Sequence, residues 1–501
     1  MTIYNINKGI GWASSGVEYA QAYRASIFRK LGIDAKFIFT DMFQNENLAH
    51  FTENIGFEDS EVIWLYSFFT DLKTAPTTYS LEEFQKTLVP GAQLETKSDT
   101  AIRYAYPNNA GHVVAFFKKD SQSVVQRVEY LSQGKLLRKD YYSYTRMFSE
   151  YYAPNQSSPK LYRRVFYNED GSFAYEENCS DDKSLFRFPD ALLYSKEELI
   201  ERMLKELNLT GQDLILVDRA TGIGQAVLRH RGAAKVAVVV HAEHYSDSLI
   251  TEDTILWNNF YDYQFTNGRV VDAFITSTDA QTRVLEEQFE KYQGYVPKVV
   301  TLPVGSLDSL QYPADQRKPF SMLTCSRLAP EKHIDWLVKG VLLARESLPE
   351  LEFDIYGEGG QRSLLQKMID EHKANDFIRL KGHQDLTNIY KDYQVYLSAS
   401  TSEGFGLTLM EAIGSGLAMI GLDVPYGNQT FIEDGKNGYR FTRSQPDDGD
   451  SYAKVFAEKI LAFYQSADKE EFYQASYKRA EDFLTVRLEE KWLDFIKEVS
   501  Q

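Results

Sequence analysis

The sequence predicts an α/β protein of two facing Rossmann-like domains, with an antiparallel β-rich insertion in the first. Three observations carry this. At 501 residues the chain exceeds what one hydrophobic core supports. Two stretches alternate short apolar runs with helical segments, the pattern of a parallel sheet covered on both faces. Between them lies a block of short β-prone runs at hairpin spacing.

The elements follow in chain order. Met1–Ile6 reads as a strand, followed by the Gly-rich turn Gly9 to Gly16 and a helical stretch from Val17 to Leu31. Ala35–Phe39 and Glu61–Tyr66 read as further strands. From Pro76 to Asp190 the texture changes to the runs Tyr104–Tyr106, His112–Phe117, Val124–Tyr130, Lys135–Tyr144, Leu161–Tyr167 and Ser172–Tyr175. The signals 107–111, 132–134 and 168–171 punctuate them as turns. This block concentrates Tyr, Phe, Arg and Lys, and its aromatics and Arg are types enriched where proteins bind one another. The α/β pattern then resumes with strands at Leu214–Val217, Ala237–Val240, Phe274–Ser277 and Val299–Pro303. Gln311–Pro319, polar and carrying Pro313 and Pro319, reads as a linker. Beyond it the expected strands are Phe320–Cys325, Phe353–Tyr356, Ile378–Leu380, Val395–Ser398 and Ala418–Gly421, and Leu484–Val499 is an amphipathic helix. The expected boundaries are 1–75 and 191–310 for the two parts of the first domain and 76–190 for the insertion. The second domain is placed at 311–483, and residues 484–501 form a helix packing back across the junction.

A formal net charge of −17 argues against a nucleic-acid partner and against a polybasic membrane anchor. It leaves room for an anionic nucleotide, for which a local cationic pocket suffices. Cys179 and Cys325 stand in unrelated contexts and suggest no disulfide framework. Met1–Gly16 lacks the apolar core of a signal peptide. No run of about 18 apolar residues suggests a transmembrane segment. The expected address is the cytoplasm.

Ligands of open parallel sheets bind at the carboxyl ends of strands, so the residues after each strand are the candidates. The strongest is Thr401 to Ala412, Thr-Ser-Glu-Gly-Phe-Gly-Leu-Thr-Leu-Met-Glu-Ala. Its glycines permit close backbone approach, the opening helix offers N–H donors to an anion or to hydroxyls, and Glu403 and Glu411 can face one cleft. The bland alternative is a charged loop before a solvated helix. At Cys325 to His333, Arg327 and Lys332 can hold a diphosphate through charge-assisted bonds, or be surface cations with Arg327 or Lys332 paired to Glu331. Gly9, Gly11 and Gly16 suggest a phosphate cradle, but the spacing is not Gly-x-Gly-x-x-Gly and a plain tight turn fits as well. His241-Ala242-Glu243-His244 lacks the spacing and third ligand of a metal site. His241 there either bonds a substrate oxygen or sits in the core. Asp448-Gly449-Asp450 lies far from any strand end and reads as a solvated turn. No metal ion and no other cofactor is expected.

Glu403-x₇-Glu411, the Arg327/Lys332 pair, Tyr356-Gly357-Glu358-Gly359 and Lys381-Gly382-His383 together resemble the retaining glycosyltransferases of GT-B fold. Ile10 to Tyr19, the β-rich insert and Val240 to His244 extend the resemblance over essentially the full length, to the bacterial enzymes that start O-glycosylation of serine-rich repeat adhesins. The resemblance implies transfer of N-acetylglucosamine from UDP-GlcNAc to Ser/Thr side chains. It also implies a GtfB-like partner chain in a hetero-oligomer, a serine-rich repeat acceptor, and work at the inner face of the cell membrane. By the same resemblance Gly16, Val17, Glu18 and Tyr19 face the UDP and His241 contacts the sugar. Arg327 and Lys332 hold the diphosphate, and His383 and Gln384 flank the nucleobase. Glu403, Gly404, Phe405 and Gly406 bind sugar hydroxyls and phosphate, and Glu411 accepts from the ribose. Glu403, Glu411, Arg327, Lys332 and His241 form the catalytic set. The rival readings are a noncatalytic acceptor-binding subunit, and a different enzyme of the same scaffold, a glucan or lipid glycosyltransferase or a UDP-sugar epimerase. The intact acids and cations oppose the first, and the aromatic, cationic insert opposes the second.

Overall fold

The computed structural model describes residues 1–12, 15–107, 111–153, 158–180, 183–443 and 447–499. Ala13 and Ser14 of the Gly-rich turn, residues 108–110 of the insert's first turn signal, and residues 500–501 of the last helical segment lie outside them. The chain divides into two compact units, one of Met1–Val238 with Asn259–Asp272, the other of Val239–Asn258 with Ala273–Val499.

In the first unit, strands run parallel in the order Val62–Trp64, Ala35–Phe39, Ile3–Asn7, Leu214–Val217 and the first four residues of Lys235–Val240, whose last two belong to the second unit. Their apolar residues, Ile3, Ile6, Phe37 to Phe39 and Leu214 to Val217 among them, are buried on both faces, which is why they read as near-continuous hydrophobic runs. The helix Gly16–Lys30 delivers Arg24 to Asp218, just past the end of Leu214–Val217, where the guanidinium donates twice at 3.0 Å.

The insert is an antiparallel meander whose strands follow chain order from Gln93–Lys97 to Leu192–Leu193. Each expected run overlaps one of its strands, with Tyr106, Val124 and Tyr144 lying just outside them and Ser172–Tyr175 replaced by the longer Phe173–Ser180. Gln93–Lys97, Arg146–Ala153, Lys183–Arg187 and Leu192–Leu193 are strands that the sequence reading does not contain. For Arg146–Ala153 the reason is charge. The carboxylate of Glu150, fully buried, accepts from Arg164 at 2.9 Å, Tyr141 at 2.8 Å, Tyr152 at 2.5 Å and Gln44 at 2.8 Å. Arg164 also donates to Glu177 at 2.8 Å. A sheet that pairs charges inside does not show the alternation that marks a half-buried strand. Many of the insert's aromatics are internal as well. Phe166 stacks on Tyr175 and Tyr175 on Phe188. Tyr66, beyond the strand Val62–Trp64, stacks on Phe166 and accepts at its carbonyl from the Tyr175 hydroxyl at 2.7 Å. This ladder joins the meander to the parallel sheet. Leu137, Tyr162 and Phe173 remain exposed.

In the second unit a parallel sheet runs in the order Ile378–Gly382, Glu352–Tyr356, Ser321–Cys325, Val395–Ser398, Ala418–Asp423, Gly438–Thr442. Gly438–Thr442, with Arg440 inside it, adds an edge strand to those expected. The helices Ile334–Arg345 and Gly449–Gln465 pack on it through Trp336, Val341, Phe456 and Ile460. The last helix, Thr485–Val499, is anchored beside Leu307, whose carbonyl accepts from Thr485 N at 2.9 Å, and Lys298 pairs with Glu498 at 3.0 Å.

Removing Arg164 strands two buried carboxylates. Breaking such a pair from one side costs about 3–5 kcal/mol. Arg164→Ala is therefore expected to lower unfolding free energy by about that amount in a urea titration. An unchanged midpoint would show that the network contributes nothing net.

Candidate donor-sugar site

The second unit's sheet brings four loops to one edge, because its parallel strands all end there. Ser326–Lys332 follows Ser321–Cys325, Gly357–Gly359 follows Glu352–Tyr356, His383 and Gln384 follow Ile378–Gly382, and Thr401–Gly406 follows Val395–Ser398. The loops interlock through main chain. Leu328 N donates to Glu358 O at 2.9 Å and Gly357 N to Gly382 O at 2.8 Å. Gly357, at φ +122°, has no space for a side chain, since a Cβ would stand 1.9 Å from Ser326 O.

Lys332 Nζ donates to Glu403 at 2.6 Å, with 12% and 20% of the two side chains exposed. Arg327 pairs with Glu331 at 3.0 Å and is 76% exposed, the surface-cation arrangement, which Lys332 does not share. The backbone of Glu403 is held independently of its side chain. Its carbonyl accepts from Tyr426 N at 2.7 Å and Gly427 N at 2.8 Å, and its N–H donates to Pro425 O at 3.3 Å. Gly404 lies against the main chain at His241, where a Cβ would meet the His241 carbonyl at 2.6 Å. The sheet unit thus joins Glu403, Gly404, Lys332 and the strand-end His241. Phe405 turns its ring into the core against Phe431 and Phe483, so only its main chain can meet a ligand. Gly406, at φ +86°, opens the helix Leu407–Gly414, and no side chain caps it.

Glu411 sits on that helix, partly buried, with Tyr390 donating to it at 2.8 Å. Burial raises its carboxyl to about 7, against the lowering effect of the Tyr390 hydroxyl. His383 and Gln384 are exposed, and Gln384 donates to Lys381 O at 3.1 Å. Gly16, Val17, Glu18 and Tyr19 belong to the first unit, where they open the helix Gly16–Lys30. Glu18 is engaged within the fold. It caps Ser15, accepting from its N–H at 2.7 Å and its hydroxyl at 2.6 Å, and pairs with Arg219 at 3.2 Å. Ser15, Glu18 and Arg219 line a cavity of about 570 Å³ with Lys8, Gly11 and Asp41.

Tyr426 and Gln288 are residues that the motifs do not include, and they meet the His241–His244 cluster. Tyr426 donates its hydroxyl to Glu243 at 2.9 Å, and His244, beside it, meets Gln288 at 2.9 Å. Burial holds His244 neutral, down at about 4, and raises Glu243. Tyr426 follows the strand Ala418–Asp423, so the strand-end rule pointed to its neighbourhood. Asp448 is a helix cap, accepting from Asp450 N at 3.1 Å and from Ser451 at 2.6 Å. Among the described residues no group of three His, Cys, Asp or Glu side chains is placed to hold a metal ion, and no helix is long and apolar enough to cross a membrane.

Residues 94–190 match the model of the GtfA extended beta-sheet domain, and residues 311–478 that of glycosyl transferases group 1. The chain is 59% identical over 498 residues to the GtfA subunit of a UDP-N-acetylglucosamine–peptide N-acetylglucosaminyltransferase from Streptococcus agalactiae, covering 99% of this chain and 98% of that one. The crystal structure of the pneumococcal O-GlcNAc transferase GtfA, in complex with UDP and GlcNAc, superposes with a TM-score of 0.94 at 53% identity, over 100% of this chain and 99% of that one. A GtfA/B complex structure contains a chain matching at TM-score 0.96 and 52% identity, over 100% of both.

The raised Glu411 carboxyl has a consequence for stability. A folded pKa of about 7 above an unfolded value of about 4.3 means that the folded state holds a proton that the unfolded state loses. Stability therefore falls as pH rises from about 4 to about 7 and levels off above. Glu411→Gln removes this term. It is expected to match the parent at pH 4 and to exceed it by about 1–3 kcal/mol at pH 8. Parallel loss of stability with pH in both proteins would show that Glu411 does not carry the shift.

Proposed function

The chain belongs to the family of GtfA subunits of UDP-N-acetylglucosamine–peptide N-acetylglucosaminyltransferases, and we propose that it transfers N-acetylglucosamine from UDP-GlcNAc to Ser/Thr hydroxyls of a serine-rich repeat protein, together with a GtfB-like partner. One observation carries this reading beyond membership: the chain has Arg327, Lys332 and Glu403 at the strand ends of one sheet and Glu411 on the helix that follows, with Lys332 already held by Glu403 at 2.6 Å. A noncatalytic subunit has no need of that set. The reading puts the enzyme in the cytoplasm, reaching the inner face of the membrane through its partner. It assigns partner and acceptor binding to the insert, through surface groups such as Tyr162 and Phe173.

In the proposed reaction the bond between the sugar C1 and the β-phosphate oxygen breaks, and its electron pair leaves with UDP. Lys332, Arg327 and the N-terminus of the helix Leu407–Gly414 stabilise the growing negative charge. The acceptor hydroxyl oxygen forms the new bond at C1 from the same face, retaining configuration, and its proton goes to the departing phosphate oxygen. Glu403, Gly404 and Gly406 hold the sugar, with Phe405 contributing main chain. Glu411 accepts from the ribose, and His383 and Gln384 flank the base. Gly16 to Tyr19 meet the UDP. Cationic side chains fill the role of a divalent ion in this scheme.

The test is transfer of radiolabelled N-acetylglucosamine to a serine-rich polypeptide by this chain with its partner. Lys332→Ala and Arg327→Ala are each expected to lower turnover about 10²–10³-fold, the scale of one lost oxyanion donor. Near-normal turnover in both variants would overturn the leaving-group assignment. Activity is expected to persist in excess EDTA, and loss restored by manganese would overturn the metal-free scheme.

A further inference from the structure

The groups that the transferase reading gives to the sugar lie on two separate stretches of chain. Glu403 and Gly404 follow Val395–Ser398, and His241 follows Lys235–Val240. Catalysis needs them in one fixed arrangement, since small misplacement at a reacting centre costs orders of magnitude in rate. Tyr426 touches both stretches. Its N–H donates to the Glu403 carbonyl at 2.7 Å, and its hydroxyl donates to Glu243, two residues beyond His241, at 2.9 Å. Its side chain is 1% exposed. His244 stacks alongside the phenol at 6.0 Å, with Nδ1 at 3.4 Å from the hydroxyl. His244 is in turn fixed by Gln288. Where Gly404 meets the His241 carbonyl, the lack of a side chain closes the loop. The path Glu403–Tyr426–Glu243–His241–Gly404 is therefore a closed ring of contacts, and the Tyr426 hydroxyl supplies a side-chain hydrogen bond to it.

We propose that Tyr426, through its bond to Glu243, is a positioning residue that sets Glu403 and Gly404 against His241 around the donor sugar. The proposal rests on the transferase reading above. Tyr426 itself need not touch substrate: its ring is enclosed and its hydroxyl is directed at Glu243. Because the ring sits at the sugar-facing edge, its loss affects the sugar more than the nucleotide.

The experiment uses this chain with its partner. Tyr426→Phe keeps the ring and its packing and removes the hydroxyl, and Glu243→Ala removes the acceptor. Glu243→Gln keeps a side-chain acceptor for the hydroxyl. Turnover of UDP-GlcNAc is expected to fall about 10–10²-fold in Tyr426→Phe and Glu243→Ala. UDP affinity, measured by calorimetry, is expected to stay within about twofold of the parent, since an unperturbed binding group changes little. Glu243→Gln is expected to recover most of the turnover, and the double variant Tyr426→Phe/Glu243→Ala to be no worse than either single change, the signature of one shared interaction. Parent-like turnover in Tyr426→Phe overturns the inference alone. So does an equal loss of UDP affinity and turnover, which marks a general structural role. A parent complex that neither turns over UDP-GlcNAc nor binds it differently from UDP overturns the transferase reading, and the inference with it.

Discussion

An ammonium and a carboxylate held 2.6 Å apart, Lys332 and Glu403, are the constraint around which the second unit's site is arranged. Neither side chain is well exposed, so each would lose hydration without the other. Pairing lets a cation stand ready at the strand ends in the free protein. That pairing requires Glu403 to keep its place, and main-chain bonds from Tyr426 and Gly427 supply this. The neighbouring loops lock through backbone contacts that tolerate no Cβ at Gly357 or Gly404. A binding edge built from main chain has little side-chain freedom to lose when a ligand arrives.

The insert follows a different rule. Its sheet buries charge and balances it, with the Glu150 carboxylate taking donors from Arg164, Tyr141, Tyr152 and Gln44. A satisfied polar network of this kind fixes register, because a slip of one residue would leave a buried carboxylate unpaired. The aromatic ladder from Tyr66 to Phe188 then joins that register to the parallel sheet. Much of the Tyr and Arg content that suggests an interface is engaged within the insert, and the surface that remains is smaller than composition implies.

The sequence showed most of the parallel strands because they are buried on both faces and read as apolar runs, as at Leu214–Val217 and Val395–Ser398. It hid the strands whose neighbours are charged, Arg146–Ala153 and Gly438–Thr442 among them, because pairing across a sheet leaves no mark along the chain. The loop Thr401–Gly406 was legible from its glycines and its place after a strand. The Tyr426–Glu243 bond was not, since the two residues are far apart in sequence and Tyr426 belongs to no motif. Tyr390, which supports Glu411 across a similar gap, was hidden for the same reason.

The two glutamates of the motif illustrate how environment divides roles between identical side chains. Glu403 meets the Lys332 side chain at 2.6 Å. Glu411, on the helix that follows, is largely removed from water and accepts from the Tyr390 hydroxyl at 2.8 Å, and burial raises its carboxyl to about 7 despite that bond. A group in that condition destabilises the free fold when ionised and is relieved by further donors. In the proposed complex the ribose hydroxyls are those donors, and they reach the carboxylate only when nucleotide is bound. The same burial that weakens the empty protein therefore strengthens its preference for the occupied one, which is the usual direction of exchange between stability and function.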